Sequence, residues 1–216
     1  MEFTELIAKR RSVRRYAPGD IPLSDIEALV DAARMAPSAK NLRQMHFIAV
    51  KNRALIREIG DAIAEENERI CRILAATDAR RAEAFRADMR ECALFLLDAP
   101  LLLAVMARPY APEWYGAADL VGEDGARRIV EKSPDMQSLG AALAHLALRA
   151  TELGYGACQI TSANYADKNV AALLRARAGF DKPGYALTAF VSVGVPAEES
   201  PAPPRKPLPA ILTVIE

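Results

Sequence analysis

The run Pro100-Leu101-Leu102-Leu103-Ala104-Val105-Met106 has no polar residue at any position. Successive strand side chains point to opposite faces, so a half-exposed strand alternates apolar with polar residues. A run without alternation reads as a central strand, apolar on both faces. Whatever the chain folds into must bury this segment completely. Three further runs read as strands: His46-Phe47-Ile48-Ala49-Val50, Ala157 to Thr161, and Tyr185 to Val195.

Between these runs the apolar spacing follows the helical period. Thr4 to Arg11 predicts a short helix with Leu6 and Ile7 on its buried side. Ser24-Asp25-Ile26-Glu27 has the pattern of a capping box and opens a helix that runs to about Met35, before Pro37. Ile56, Ile59, Ile63, Ile70 and Leu74 mark one face of a helix over Ala54 to Ala76. Phe85, Met89, Cys92 and Leu96 mark the next. The best helix covers Asp135 to Leu153, closed by Gly154, and a further one spans about Asp167 to Ala176. Arg108 to Ser133 is irregular and holds Trp114 beside Tyr110 and Tyr115, which reads either as a surface excursion or as a lid over a pocket. Ser200 to Pro209 carries five prolines and predicts an extended tail, followed by the strand-like Ile211 to Ile215. No repeat or linker divides the chain, so residues 1–216 are expected to form a single domain.

Composition excludes several classes. Of 216 residues, 28 are basic and 28 acidic, so no overall field favours nucleic acid. No apolar run approaches membrane-spanning length, and Met1-Glu2-Phe3-Thr4-Glu5 lacks signal architecture; a cytoplasmic protein without a membrane partner is expected. Cys71, Cys92 and Cys158 are too scattered for a disulfide framework or a zinc site, and the first two read as packed apolar groups. With His46 and His145 the only histidines, no metal centre is expected. His145 reads as part of an interface or surface hydrogen-bond network with Arg149 and Glu152 rather than as a general acid. Neither a dinucleotide-binding glycine motif, a phosphate-binding P-loop nor a hydrolase nucleophile elbow is present.

What remains is a concentration of anion-binding groups, Arg10-Arg11-Ser12-Val13-Arg14-Arg15. Guanidinium groups hold phosphate through forked, charge-assisted hydrogen bonds. Taken alone, the run reads first as a solvated basic end of a helix and only second as an anion trap. A chain with anion-binding elements and no catalytic constellation is either a binder or an enzyme whose chemistry belongs to a cofactor.

Five segments, in order, resemble the flavin-dependent nitroreductase family. They are Arg10-Arg11-Ser12-Val13-Arg14; Ala36-Pro37-Ser38-Ala39-Lys40-Asn41 with Phe47 beyond; Asp98-Ala99-Pro100; Leu153-Gly154-Tyr155-Gly156-Ala157-Cys158; and Val193-Gly194-Val195-Pro196 with Pro204-Arg205-Lys206-Pro207-Leu208. The resemblance implies an α+β fold, a mixed sheet flanked by helices and paired into an intertwined homodimer, with FMN at the subunit interface. It places Arg10, Ser12 and Arg205 around the FMN phosphate and ribityl chain, with Arg11 in the same motif. Arg14 falls near the flavin N1/O2 edge. Pro37, Ser38, Ala39 and Asn41 form the turn that reaches FMN from the partner subunit, and Thr161 and Ser162 approach N5.

The implied activity is a ping-pong shuttle. NADH or NADPH gives hydride to flavin N5, then a small-molecule acceptor such as a nitroaromatic or quinone takes it, with no side chain needed as acid or base. Three departures leave the substrate class open. Arg43-Gln44-Met45 replaces the family's usual glutamine, proline and tryptophan, Ser162 stands at a frequent glycine, and His145 at a frequent asparagine. Reductive dehalogenation and flavin fragmentation are known on similar folds, and a module that stores or senses FMN without rapid turnover is the alternative to an enzyme.

Overall fold

The computed structural model describes residues 2–110 and 131–215; Trp114 and the expected lid lie mostly outside them. Six helices among the described residues flank a sheet. Helices α1 (Phe3–Lys9) and α2 (Leu23–Arg34) precede strand β1 (Met45–Val50). Helices α3 (Arg53–Ala75) and α4 (Ala79–Ala93) form a long antiparallel pair before β2 (Leu101–Ala107). Helix α5 (Pro134–Glu152), β3 (Gly156–Ile160), α6 (Asp167–Ala178) and β4 (Ala186–Gly194) complete the set.

The strand order is β1-β2-β4-β3, and each pair is antiparallel. The parallel element is Ser12, which bridges to Ala157 on the outer edge of β3. The apolar run is indeed central: every residue of β2 is buried. Leu101, Leu103 and Val105 face a core built with α2 and α5, where Leu29 and Leu146 are fully buried. Leu102, Ala104 and Met106 face a second core with α3 and α6, around Phe190, Ile56 and Ile59. Each fully buried large apolar side chain contributes about 1.5–3 kcal/mol, so two cores sharing one sheet explain the lack of alternation.

Several boundaries differ from the sequence reading, each for a local reason. Helix α1 has no buried residue, and Ile7 is exposed, because the helix lies outside both cores. The expected capping box does not form. Pro22 is extended and its carbonyl accepts from Asp25 and Ile26 N–H, so α2 starts one residue before Ser24. On α3 the buried stripe passes through Asn67 and Cys71 rather than Ile70 and Leu74. Helix α4 buries Ala82, Met89 and Ala93, then tightens into a 3₁₀ turn over Leu94–Asp98. That stripe leaves Cys92 exposed, contrary to expectation, while Cys71 is buried as foreseen. Ile211 to Ile215 form no strand; they are exposed beyond a short 3₁₀ turn at Leu208–Ala210.

Other signals translate directly. Gly154 adopts φ 85°, donating its N–H to the Thr151 carbonyl while Tyr155 N–H reaches Ala150, the paired bonds of a glycine-closed helix end. Asn52 caps α3 by accepting from Ala54 and Leu55 N–H at 2.9 and 3.0 Å. Asn52→Ala is expected to cost about 1 kcal/mol, read as a fall in Tm of about 2–4 °C by scanning calorimetry. An unchanged Tm would show that the cap is replaced by water. Among the described residues no helix is long and apolar enough to cross a membrane.

Candidate functional site

Residues 10 to 16 run extended along the edge of β3. Val13 N–H donates to Ala157 O at 3.2 Å, and Tyr16 bridges to Pro196. Gly156 permits this approach: a Cβ there would lie 2.4 Å from Val13 Cγ2. The Tyr16 hydroxyl ties down the far end, donating to Val13 O at 2.6 Å beside Ser192 Oγ at 2.7 Å. Burial pushes the Tyr16 phenol well above its ordinary range, so it stays a neutral structural donor.

An extended chain sends alternate side chains to opposite sides. Arg10 and Ser12 line a cleft of about 360 Å³ floored by Leu143 and Ala147 of α5 and rimmed by Gln159. Arg11 lines the neighbouring cleft instead, with Gly154, Tyr155 and Glu198. Its Nη1 donates back to the carbonyls of Ala8 and Arg10, while its buried Nε has no partner. Arg11 therefore ties the end of α1 and does not share the cleft of Arg10.

Arg14 lies with its guanidinium 5.7 Å from the Phe95 ring centroid. Ser162 donates to the Cys92 carbonyl at 2.8 Å, and Thr161 is exposed at the end of β3. Burial raises the Cys158 thiol, opposed by Arg14, Ser12 and Arg10, and the Arg14 charge also reaches Cys92. Arg10, Ser12 and Arg14 thus surround Cys158 of β3, while Arg14 reaches Phe95 of the 3₁₀ turn after α4 and Ser162 reaches the end of α4. Sequence reasoning missed Phe95 here, because the α-helical spacing was carried past Ala93, and it placed Cys92 in the core, whereas the buried stripe of α4 leaves it exposed.

The segment Pro37 to Asn41 sits elsewhere, at the start of α5. Ala39 N–H donates to Ser138 Oγ at 3.0 Å, Ser38 Oγ accepts from Arg43 N–H, and Asn41 Oδ1 accepts from Arg43 Nε at 3.0 Å. Lys40, Asn41 and Arg43 all have left-handed φ of 51°, 55° and 47°. Asparagine tolerates that conformation; a lysine and an arginine there store strain of about 1–3 kcal/mol each. Pro37 is exposed and lines no cleft shared with Arg10. Arg205 is exposed on the tail and, among the described residues, has no hydrogen bond or ion pair. His145 approaches Ala32 O at 3.3 Å, while its expected partners Arg149 and Glu152 pair with each other. No three potential metal ligands cluster among the described residues.

His46, on β1, stacks on Phe180 at 4.7 Å and receives a hydrogen bond from Lys182 Nζ at 3.2 Å. Desolvation and the Lys182 charge both lower its pKa. The unfolded chain therefore binds this proton more readily, so stability falls as pH drops through the ordinary histidine range. His46→Phe is expected to flatten the fall in Tm between about pH 7 and pH 5; an unchanged slope would assign it to other groups.

The Nitroreductase family model matches residues 7–195. The chain belongs to the nitroreductase family. A BluB-like flavoprotein from Clostridium difficile 630 is 37% identical, with a TM-score of 0.95 and both chains covered fully. A nitroreductase with bound FMN from Bacteroides fragilis NCTC 9343 shares the fold at 24% identity, a TM-score of 0.69 and full coverage of both chains. A Methanothermobacter thermautotrophicus protein bearing the name NADH dehydrogenase/NAD(P)H nitroreductase is 41% identical over 59 residues, 27% of this chain. That match spans 31% of the relative's own length.

Proposed function

We propose that the protein is an FMN-dependent oxidoreductase that draws hydride from NADH or NADPH and passes it to a small acceptor, a nitroaromatic or quinone being the model class. The observation that carries this reading is the cleft beside β3 that Arg10 and Ser12 line together, with Arg14 over Phe95 and no carboxylate paired to Arg10 or Arg14 among the described residues. A cleft whose polar lining includes a guanidinium and a hydroxyl over an apolar α5 floor fits a phosphate-bearing cofactor with a flat ring system. When bound, FMN supplies a hydride acceptor and donor at N5.

The chain's own residues do the rest. Arg10 and Ser12 would hold the phosphate end. Arg14, backed by Phe95, would present fixed positive charge to the negative charge that the ring gains on reduction. Arg11 positions Arg10 by fastening the end of α1.

Homodimerisation is part of this reading. Pro37 to Asn41 shares no cleft with Arg10, and α5 leaves Gly140, Ala144 and His145 exposed. The tail exposes Leu208, Ile211, Leu212, Val214 and Ile215, more apolar surface than one chain leaves in water without a partner. A second copy would cover both and bring its turn to the first copy's FMN. Light scattering is expected to give the dimer mass; a monomer with flavin still bound overturns the shared site.

The test of function is an absorbance spectrum of the purified protein, then anaerobic mixing with each nucleotide. Flavin absorbance with rapid, saturable bleaching is expected. Bound flavin that bleaches only slowly with both nucleotides would favour a storage or sensing module. Absence of flavin even after added FMN would end the reading.

A further inference from the structure

Beyond the flavin cleft, a second group of cations is assembled where β2 ends. Arg108 lies with its guanidinium 5.9 Å from the Tyr185 ring centroid, and Lys182 Nζ lies 5.9 Å from that of Phe180. The two rings meet edge to face at 6.0 Å. Among the described residues neither cation has a carboxylate partner. The one acid of the loop, Asp181, is held by Arg175 at 2.9 Å. Lys182 instead donates to His46, a basic group that is no counter-ion.

The arrangement is rigid. Pro183 and Gly184, with φ 76°, occupy the middle of a tight turn closed by Tyr185 N–H to Lys182 O at 3.3 Å. That is the type II pattern, with proline second and glycine third, and it fixes Lys182 beside Tyr185. The group also adjoins the turn assigned to FMN. Arg108 N–H donates to Gln44 O at 3.2 Å, Gln44 Nε2 donates to Pro109 O at 3.0 Å, and neighbouring Arg43 holds Asn41.

We propose that Arg108 and Lys182, set on the Phe180–Tyr185 ring pair, form a docking subsite for the phosphate-bearing adenosine half of the nicotinamide dinucleotide. The proposal rests on the oxidoreductase reading above, which requires such a donor. Two cations with no carboxylate partner among the described residues suit phosphate, and half-buried rings offer a face for a flat base. Gathering them next to the Asn41 turn lets one extended dinucleotide span both regions.

The test uses the FMN-loaded protein and the Arg108→Ala/Lys182→Ala variant, whose altered side chains are exposed. Adenosine 2′,5′-bisphosphate, which has phosphates but no nicotinamide, is titrated by calorimetry. Binding to wild type is expected, weakened about tenfold or more in the variant. The ratio of kcat/KM for NADPH to that for a phosphate-free N-benzyl dihydronicotinamide should fall about tenfold as well. No binding to wild type, or equal binding to the variant, overturns the subsite, as does displacement by inorganic phosphate at equal affinity. If no hydride donor reduces the flavin but the bisphosphate still needs Arg108 and Lys182, the oxidoreductase reading falls and the subsite stands.

Discussion

Arg10→Ala is expected to weaken FMN binding about tenfold to a hundredfold, since a charge-assisted hydrogen bond to phosphate is worth about 1.5–3 kcal/mol. Arg205→Ala is expected to do the same only if the tail of one subunit crosses to the cleft of the other. In the single chain Arg205 stands exposed, and its segment is extended by prolines. If both arginines share one anion, the double variant loses less than the sum of the two. Riboflavin, which lacks the phosphate, should bind poorly to wild type and be indifferent to either substitution. Fluorescence titration with both flavins decides the matter. Equal affinity for riboflavin and FMN would make the arginine run a solvated helix end.

Gly156→Ala is expected to damage both stability and the site. The added Cβ would lie 2.4 Å from Cγ2 and 2.5 Å from Cβ of Val13, a buried and β-branched neighbour with little freedom to rotate away. Overpacking of this kind costs about 1–3 kcal/mol. The strain acts on the extended segment that carries Ser12 and Arg14, so FMN affinity should fall with Tm rather than independently of it. Val13→Ala makes room beside the new methyl group, and the double variant should regain much of the lost affinity. A Gly156→Ala protein with wild-type FMN affinity would show that residues 12 to 14 are held by other contacts.

The elements most legible in the sequence were those set by local chemistry. The unbroken apolar run became the central strand β2, buried on each side. Gly154 closed α5, and Met35 ended α2 short of Pro37. Boundaries failed where a neighbouring residue competed. Pro22 took the position expected for the Ser24 cap, and the buried stripe of α4, running through Ala82, Met89 and Ala93, left Cys92 outside the core. In each case the local pattern was real, but a neighbour outranked it.

The site divides along the same line. Residue type alone marked Arg10, Ser12 and Arg14 as candidates to bind an anion, because guanidinium chemistry does not depend on the fold. Their separation from Arg11 came from an extended backbone pinned to β3, which no count of arginines contains. The meeting of Arg14 with Phe95, and of Ser162 with Cys92, joins segments about 70 or more residues apart in sequence. Likewise Arg108 and Lys182 come together only because β1 begins, β2 ends and the turn before β4 lies at the same end of the sheet. The sequence determined which chemistry was available and which runs had to be buried. Tertiary structure decided which groups share a cleft, since that depends on strand order and register, which local spacing does not encode.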